Sequence, residues 1–148
     1  RYVEKETYEK WVRRLTPRRG DIIFTREALV GEAGVLESDD QVFLGQRVME
    51  YRTNNQLMNP YYLLYELMGS NVKRQIQRLS AGSTVKHLSV PDCQKFLLNT
   101  PPIDLQNQFA QRIEAIEQQK QQAQASLEKS ETLFNSLLQR AFKGELSA

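Results

Sequence analysis

The sequence predicts an α+β fold, a small mixed globular domain followed by one long coiled-coil-forming α-helix. Three observations predict it. Short β-branched and aromatic runs alternate irregularly with helical stretches over the first hundred residues, which fits α+β better than a regular βαβ series. Apolar residues of the last third recur at steps of three and four along one uninterrupted stretch. Between the two regimes stand Pro101 and Pro102, through which a helix cannot run. The expected division is therefore 1–100 for the globular part and 101–148 for the helix.

Taken in order, residues 4–14 place Tyr8, Trp11 and Val12 on one face of a short amphipathic helix, which Pro17 ends. Ile22-Ile23-Phe24-Thr25 reads as a buried strand. Gly31 and Gly34 mark a loop leading into a second strand over Ala33 to Leu36, and Asp39-Asp40 a turn. Gln41 to Leu44 and Arg47 to Tyr51 read as further strands, with a turn at Asn54-Asn55. Asn59 is placed to cap a helix that has Pro60 at its first position and continues to Leu67. A second helical piece spans Ser70 to Leu79, ahead of a loop at Ser80-Ala81-Gly82-Ser83. Leu88 to Val90 and Phe96 to Leu98 read as the last strands, with a turn or one helical turn at Pro91-Asp92.

The closing helix has Ile113, Lys120, Leu127, Phe134 and Ala141 at heptad position a, and Phe109, Ile116, Ala123, Ser130 and Leu137 at d. A seam this narrow suits one partner helix. From Asp104 to Phe142 the helix would be about 58 Å long, more than the preceding residues can cover as a compact globule. If the chain is alone in solution, the stripe of Phe109, Ile113, Leu127, Phe134 and Leu137 is costly to leave in water, so a homodimer is expected. Lys120 and Ser130 weaken the seam and favour one register.

Charge adds little by itself. The net charge is +2 over 148 residues. Residues 1–100 hold 15 Lys and Arg against 12 Asp and Glu, whereas 101–148 hold 5 against 6. The early excess is mostly arginine, a side chain suited to forking onto phosphates or guanine edges. Cys93 is the only cysteine, the N-terminus lacks the pattern of a signal peptide, and no apolar run is long enough for a membrane span. These features imply a reducing, cytoplasmic setting. A start at Arg1 rather than Met suggests missing upstream sequence.

The catalytic motifs are incomplete. Asn59-Pro60-Tyr61-Tyr62 is similar to the tetrad with which amino-methyltransferases hold a flipped base, but the glycine-rich turn for S-adenosylmethionine is missing and a helix cap explains Asn59 and Pro60. Pro91-Asp92 opens like a nuclease signature, yet Gln94-Lys95 stands where acidic-x-Lys is required. His87 has neither the partners of a zinc site nor those of a triad. No catalytic residues, no metal and no cofactor are expected. The loop Gly82-Ser83-Thr84-Val85-Lys86-His87-Leu88 offers hydroxyls, backbone N–H groups and a lysine that suit phosphate contact as well as they suit an ordinary polar loop.

Several segments together resemble a known family. Gly20-Asp21-Ile22-Ile23-Phe24-Thr25-Arg26 with Gly31, Asn59-Pro60-Tyr61-Tyr62, the Gly82 to Leu88 loop, Pro101-Pro102 and Leu133-Phe134-Asn135-Ser136-Leu137-Leu138-Gln139-Arg140-Ala141-Phe142-Lys143-Gly144-Glu145-Leu146 are similar, in that order, to the specificity (S) subunit of type I restriction-modification systems. The resemblance implies a target recognition domain over 1–100, lacking its N-terminal part, and a conserved spacer helix over 101–148. It also implies sequence-specific reading of one half of a split site on double-stranded DNA, with no catalysis in the subunit itself. Methyltransferase (modification) subunits and restriction subunits would be the partners. Individual base contacts do not transfer from the family. Residue chemistry nominates Arg26, Arg47 and Lys86 for DNA, and Ser83, Arg18 and Arg19 as weaker phosphate candidates. Helix pairing is assigned to Phe109, Ile113, Ile116, Ala123, Leu127, Phe134, Leu137 and Ala141. Gln118, Gln119, Gln121, Gln122 and Gln124 form a neutral polar surface that suits other subunits or plain solvent. The competing expectation is a non-enzymatic coiled-coil assembly protein without sequence-specific DNA binding.

Overall fold

The computed structural model describes residues 3–79 and 87–145. Its elements are α1 (Lys5–Trp11), β1 (Ile22–Thr25), β2 (Ala33–Val35), β3 (Val48–Tyr51), α2 (Pro60–Met68), α3 (Ser70–Leu79), α4 (Val90–Cys93) and α5 (Ile103–Phe142). The chain divides into two compact units, Arg1–Gln108 and Phe109–Ala148.

In the first unit the sheet has the order β2-β1-β3 and both pairings are antiparallel. Ile22 faces Val35 on one side and Tyr51 on the other, and Phe24 faces Ala33 and Met49. Because side chains alternate along a strand, Ile22 and Phe24 share one face, and both are fully buried there. The amphipathic helices supply the rest of the core: Leu63 and Leu67 of α2, Val72 and Ile76 of α3, together with Leu88 and Cys93. Edge-to-face contacts of Phe24 with Tyr51 and with Phe96, each at 5.9 Å, fill it. The Tyr51 hydroxyl donates to the Cys93 carbonyl at 2.9 Å, and burial raises both the phenol and the Cys93 thiol above their ordinary pKa. Cys93 is a packing residue with little thiolate character.

The opposite face of the sheet carries a buried ion pair. Asp21, 1% exposed, accepts from Arg52 Nε and Nη2 at 2.8 and 2.7 Å and from the Arg18 N–H at 2.8 Å. Burial alone would raise the Asp21 carboxyl, but the Arg52 and Arg18 hydrogen bonds together hold it below the ordinary carboxylate range. Glu50 lies beside the pair, 3.7 Å from Arg52 Nη2, and burial followed by the Asp21 charge raises its pKa. Neither Glu50 carboxylate oxygen has a hydrogen-bond partner among the described residues.

The turn between β1 and β2 is tightly tied. The Thr25 hydroxyl is bonded to the Leu29 carbonyl and accepts from the Glu32 N–H at 3.0 Å, while Ala28 has φ +64° and Gly31 φ +95°. A Cβ on Gly31 would lie 3.0 Å from Ile76 Cδ1, so both conformation and space require glycine here. Gly31→Ala is expected to cost about 1–2 kcal/mol, read as a lowered urea midpoint with an unchanged slope.

Three strands expected from the sequence do not form. Gln41 to Leu44 joins no ladder; instead Phe43 packs edge-on to Trp11 at 5.2 Å, so its apolar character serves a local contact. Leu88 to Val90 is not a strand either, because Ser89 caps α4 by accepting from the Asp92 N–H at 3.2 Å, leaving one bridge at Glu27 and His87. At Phe96 to Leu98, side-chain amides replace a neighbouring strand. Gln75 Oε1 accepts from the Leu97 N–H at 2.9 Å, and Asn71 Nδ2 and Gln75 Nε2 each donate to its carbonyl at 2.8 Å. The first helix is also shorter than residues 4–14, ending at Trp11 ahead of Pro17.

Helix α5 is continuous over 40 residues. Its first turns belong to the globular unit, where Gln106, 1% exposed, ties them down. The Gln106 amide donates to the Pro101 and Leu57 carbonyls at 2.7 and 3.2 Å and accepts from the Asn59 N–H at 2.9 Å. In the second unit every residue from 114 to 145 is exposed.

Candidate nucleic-acid interface

At one end of the sheet the last residues of β1, the start of β3 and residues 87–88 converge. The Arg26 N–H donates to the Arg47 carbonyl at 2.8 Å, and the Leu88 N–H donates to the Arg26 carbonyl at 3.0 Å. Arg26 then clamps the corner with its guanidinium. Its Nη1 donates to the Leu88 carbonyl at 2.9 Å and its Nη2 to the Gln46 carbonyl. Buried Nε has no partner among the described residues. The structure thus commits Arg26 to three chain segments, a strong holding role for a planar five-donor group.

Beside it, Glu27 lies between two basic side chains, with His87 Nδ1 2.9 Å from Oε1 and Arg47 Nε 3.7 Å from Oε2. The Arg47 side chain is 76% exposed, so its terminal nitrogens face solvent while Glu27 steadies the stem. A half-tethered guanidinium on a rigid corner is a good donor to phosphate or to a guanine edge. Arg18 and Arg19 are both exposed in the tight turn that ends at Asp21, where Gly20 takes φ +91°. Ser83 and Lys86, with most of the Gly82 to Leu88 loop, lie outside the described residues.

The Asn-Pro-Tyr-Tyr tetrad is spent on architecture. Asn59 Oδ1 accepts from the Tyr61 and Tyr62 N–H groups at 2.9 and 3.2 Å, and Asn59 Nδ2 donates to Asn107 Oδ1 at 2.9 Å. The amide that would hold a base is therefore the N-cap of α2. Asp92 is bound to its own capping serine, with Ser89 Oγ at 2.5 Å from Oδ2. Among the described residues no group of three His, Cys, Asp or Glu is placed to hold a metal ion.

Along the second unit most of the residues expected to pair are exposed. Ile116 is 55% exposed, Leu127 51%, Phe134 61% and Leu137 41%, and Ala123 and Ala141 are also exposed. Phe109 and Ile113 are half-buried. The same stretch also exposes Leu133 and Leu138, which lie next to the seam rather than in it.

The family described as "Type I restriction modification DNA specificity domain" matches residues 6–129. That match runs through the sheet, the clamped corner and most of α5. The chain belongs to this specificity-domain family. A curated relative, the type I restriction enzyme EcoBI specificity subunit of Escherichia coli, is 24% identical over 135 residues, covering 88% of this chain and 28% of the relative. A solved chain from a study of complex assembly and conformational transition of the type I R-M system superposes with a TM-score of 0.63 at 17% identity. That alignment covers 86% of this chain and 34% of the solved one, so the specificity-domain chain spans about a third or less of each relative. At that identity the second likeness concerns the fold. No helix among the described residues is long and apolar enough to cross a membrane.

Two pairings were not read from the sequence, one in the buried ion pair and one at the corner. Arg52 is not singled out by the composition, although its place opposite Asp21, just beyond the paired residues Ile22 and Tyr51, follows once the register is known. The Glu27 and His87 pairing joins residues sixty apart in sequence. No local signal announces it.

Proposed function

We propose that this chain is a non-catalytic DNA-reading part of a type I restriction-modification complex, recognising one half of a bipartite double-stranded site. The observation that carries this is the family match over 6–129, which spans both the globular unit and the long helix. On this reading residues 1–100 are the target recognition domain and 101–148 the spacer helix. Arg47 is the leading base or phosphate contact, with Arg18 and Arg19 on the phosphates and Ser83 and Lys86 contributing from their loop. Arg26 acts by holding the corner that presents Arg47.

The helix sets the distance between two recognition heads, because half-sites on a duplex lie a fixed number of base pairs apart and a helix supplies 1.5 Å per residue without a hinge. Phe109, Ile113, Ile116, Ala123, Leu127, Phe134, Leu137 and Ala141 pair with a second antiparallel copy. Methyltransferase subunits dock on this scaffold and bring the restriction subunits, in the reducing setting of the cytoplasm. Support for the pairing comes from the exposed apolar seam, since such a stripe in water is unfavourable.

The exposed seam equally favours a second reading, a coiled-coil assembly protein indifferent to DNA sequence. Competition binding separates the two. A DNA reader discriminates its selected duplex from random duplex by orders of magnitude and weakens steeply with salt. An assembly protein binds both duplexes weakly and alike.

A further inference from the structure

Charges on the exposed helices are distributed unevenly. Helix α1 carries Lys5 and Lys10 against Glu6 and Glu9, with Lys5 and Glu9 paired at 3.8 Å. Helix α5 carries four basic and five acidic side chains, with Lys120 and Glu117 paired at 3.4 Å. Helix α3 is different: it holds Lys73, Arg74 and Arg78 and no acidic residue. All three are exposed, and no ion pair engages them among the described residues.

This arrangement works against the helix. Arg74 and Arg78 stand one turn apart, where like charges repel. Lys73 closes a first turn that has no acid to offset it, whereas Arg78, in the last turn, suits the helix dipole. A merely solvated face would gain from the glutamates that the other helices carry.

The packing of α3 fixes which side this face presents. Val72 and Ile76 are buried, which turns Arg74 and Arg78 to the opposite side. Ile76 packs on the Gly31 turn, whose N–H donates to the Thr25 carbonyl at 3.1 Å, one residue before Arg26. The buried side of α3 therefore packs on the β1–β2 turn, and Arg74 and Arg78 lie on the helix face away from that contact.

We propose that Lys73, Arg74 and Arg78 form a phosphate-contact surface that tracks the backbone of duplex DNA, independent of base sequence. The inference extends the DNA-reading role proposed above and rests on it for the choice of ligand. The contacts fix position and affinity, while sequence choice stays with the corner and its loops.

The test uses the full chain with its methyltransferase subunit, and measures equilibrium binding to a selected duplex and to a random duplex over a salt series. The variant Lys73→Gln, Arg74→Gln, Arg78→Gln keeps helix propensity nearly constant, and the three single variants are measured beside it. The expected result is a slope of log K against log salt smaller by about two to three in the triple variant and by about one in each single variant. The preference for the selected duplex should be unchanged. An unchanged slope in folded variants, with a steep slope in the parent, overturns the inference and leaves the DNA-reading role standing. A parent without sequence preference whose slope still falls in the variants sinks the reading role but keeps the phosphate surface. A parent that ignores duplex altogether overturns both. Unaltered DNA binding with loss of the methyltransferase subunit would assign the face to a protein partner, against the inference.

Discussion

Arg52→Ala is expected to destabilise the globular unit by about 3–5 kcal/mol, the usual cost of removing one partner from a buried ion pair. That is a large part of the 5–15 kcal/mol typical of a whole domain. Two effects coincide. Asp21 loses both guanidinium hydrogen bonds, at 2.8 and 2.7 Å, and the Thr16 carbonyl loses its donor at 2.8 Å. Glu50, which has no hydrogen-bond partner among the described residues, then faces Asp21 without the Arg52 cation. Urea unfolding at neutral pH checks the magnitude; an unchanged midpoint would show that the pair adds nothing.

The pH dependence supplies a second check. In the parent the lowered Asp21 pKa contributes stability that is present above the ordinary value of 3.8 and is lost as pH falls through the folded-state value. The raised Glu50 pKa acts in the opposite sense, contributing stability below 4.5 that disappears as pH rises through its folded-state value. Without Arg52 both carboxyls resist ionisation, so acidification from about pH 7 to about pH 5 relieves the strain. The variant's penalty should therefore shrink at the lower pH.

Leu127→Asp is expected to convert the proposed antiparallel dimer into monomer. A buried leucine contributes about 1.5–3 kcal/mol, and in a two-fold interface each copy loses it. The dissociation constant should rise by at least about a hundredfold, before the cost of burying the new carboxylate. Leu127 is 51% exposed in the single chain, so the substitution leaves the monomer's own packing intact. Sedimentation at micromolar concentration reads the outcome directly. A parent that sediments as a monomer, or a variant of unchanged mass, would show that the seam is not an interface between copies.

How far the molecule was legible from its residues depended on how local the determining contacts are. Helix α5 was plain because its heptad steps and the preceding prolines act within a few residues of one another, and α2 because Asn59 and Pro60 are a local capping pair. Strand β1 announced itself by the run from Ile22 to Thr25. Failures came where a distant side chain replaced a backbone partner. Phe96 to Leu98 has the composition of a strand, but the amides of Asn71 and Gln75 occupy its hydrogen-bonding groups. At the candidate interface Arg47, Arg18 and Arg19 are exposed, whereas Arg26 is a clamp. Nothing near Arg26 in the sequence predicts that Leu88 and Gln46 would converge on it. The uncompensated charge of α3 was visible in the letters from the start, yet its meaning required knowing which face Val72 and Ile76 bury.

The central claim is that this chain reads DNA sequence as one head of a paired reader. Selection of bound duplexes from a random pool, by the chain together with its methyltransferase subunit, tests that claim most directly. The account predicts enrichment of a palindromic motif split by a gap of fixed length, one half for each copy. Recovery of a pool as random as the one supplied would contradict it.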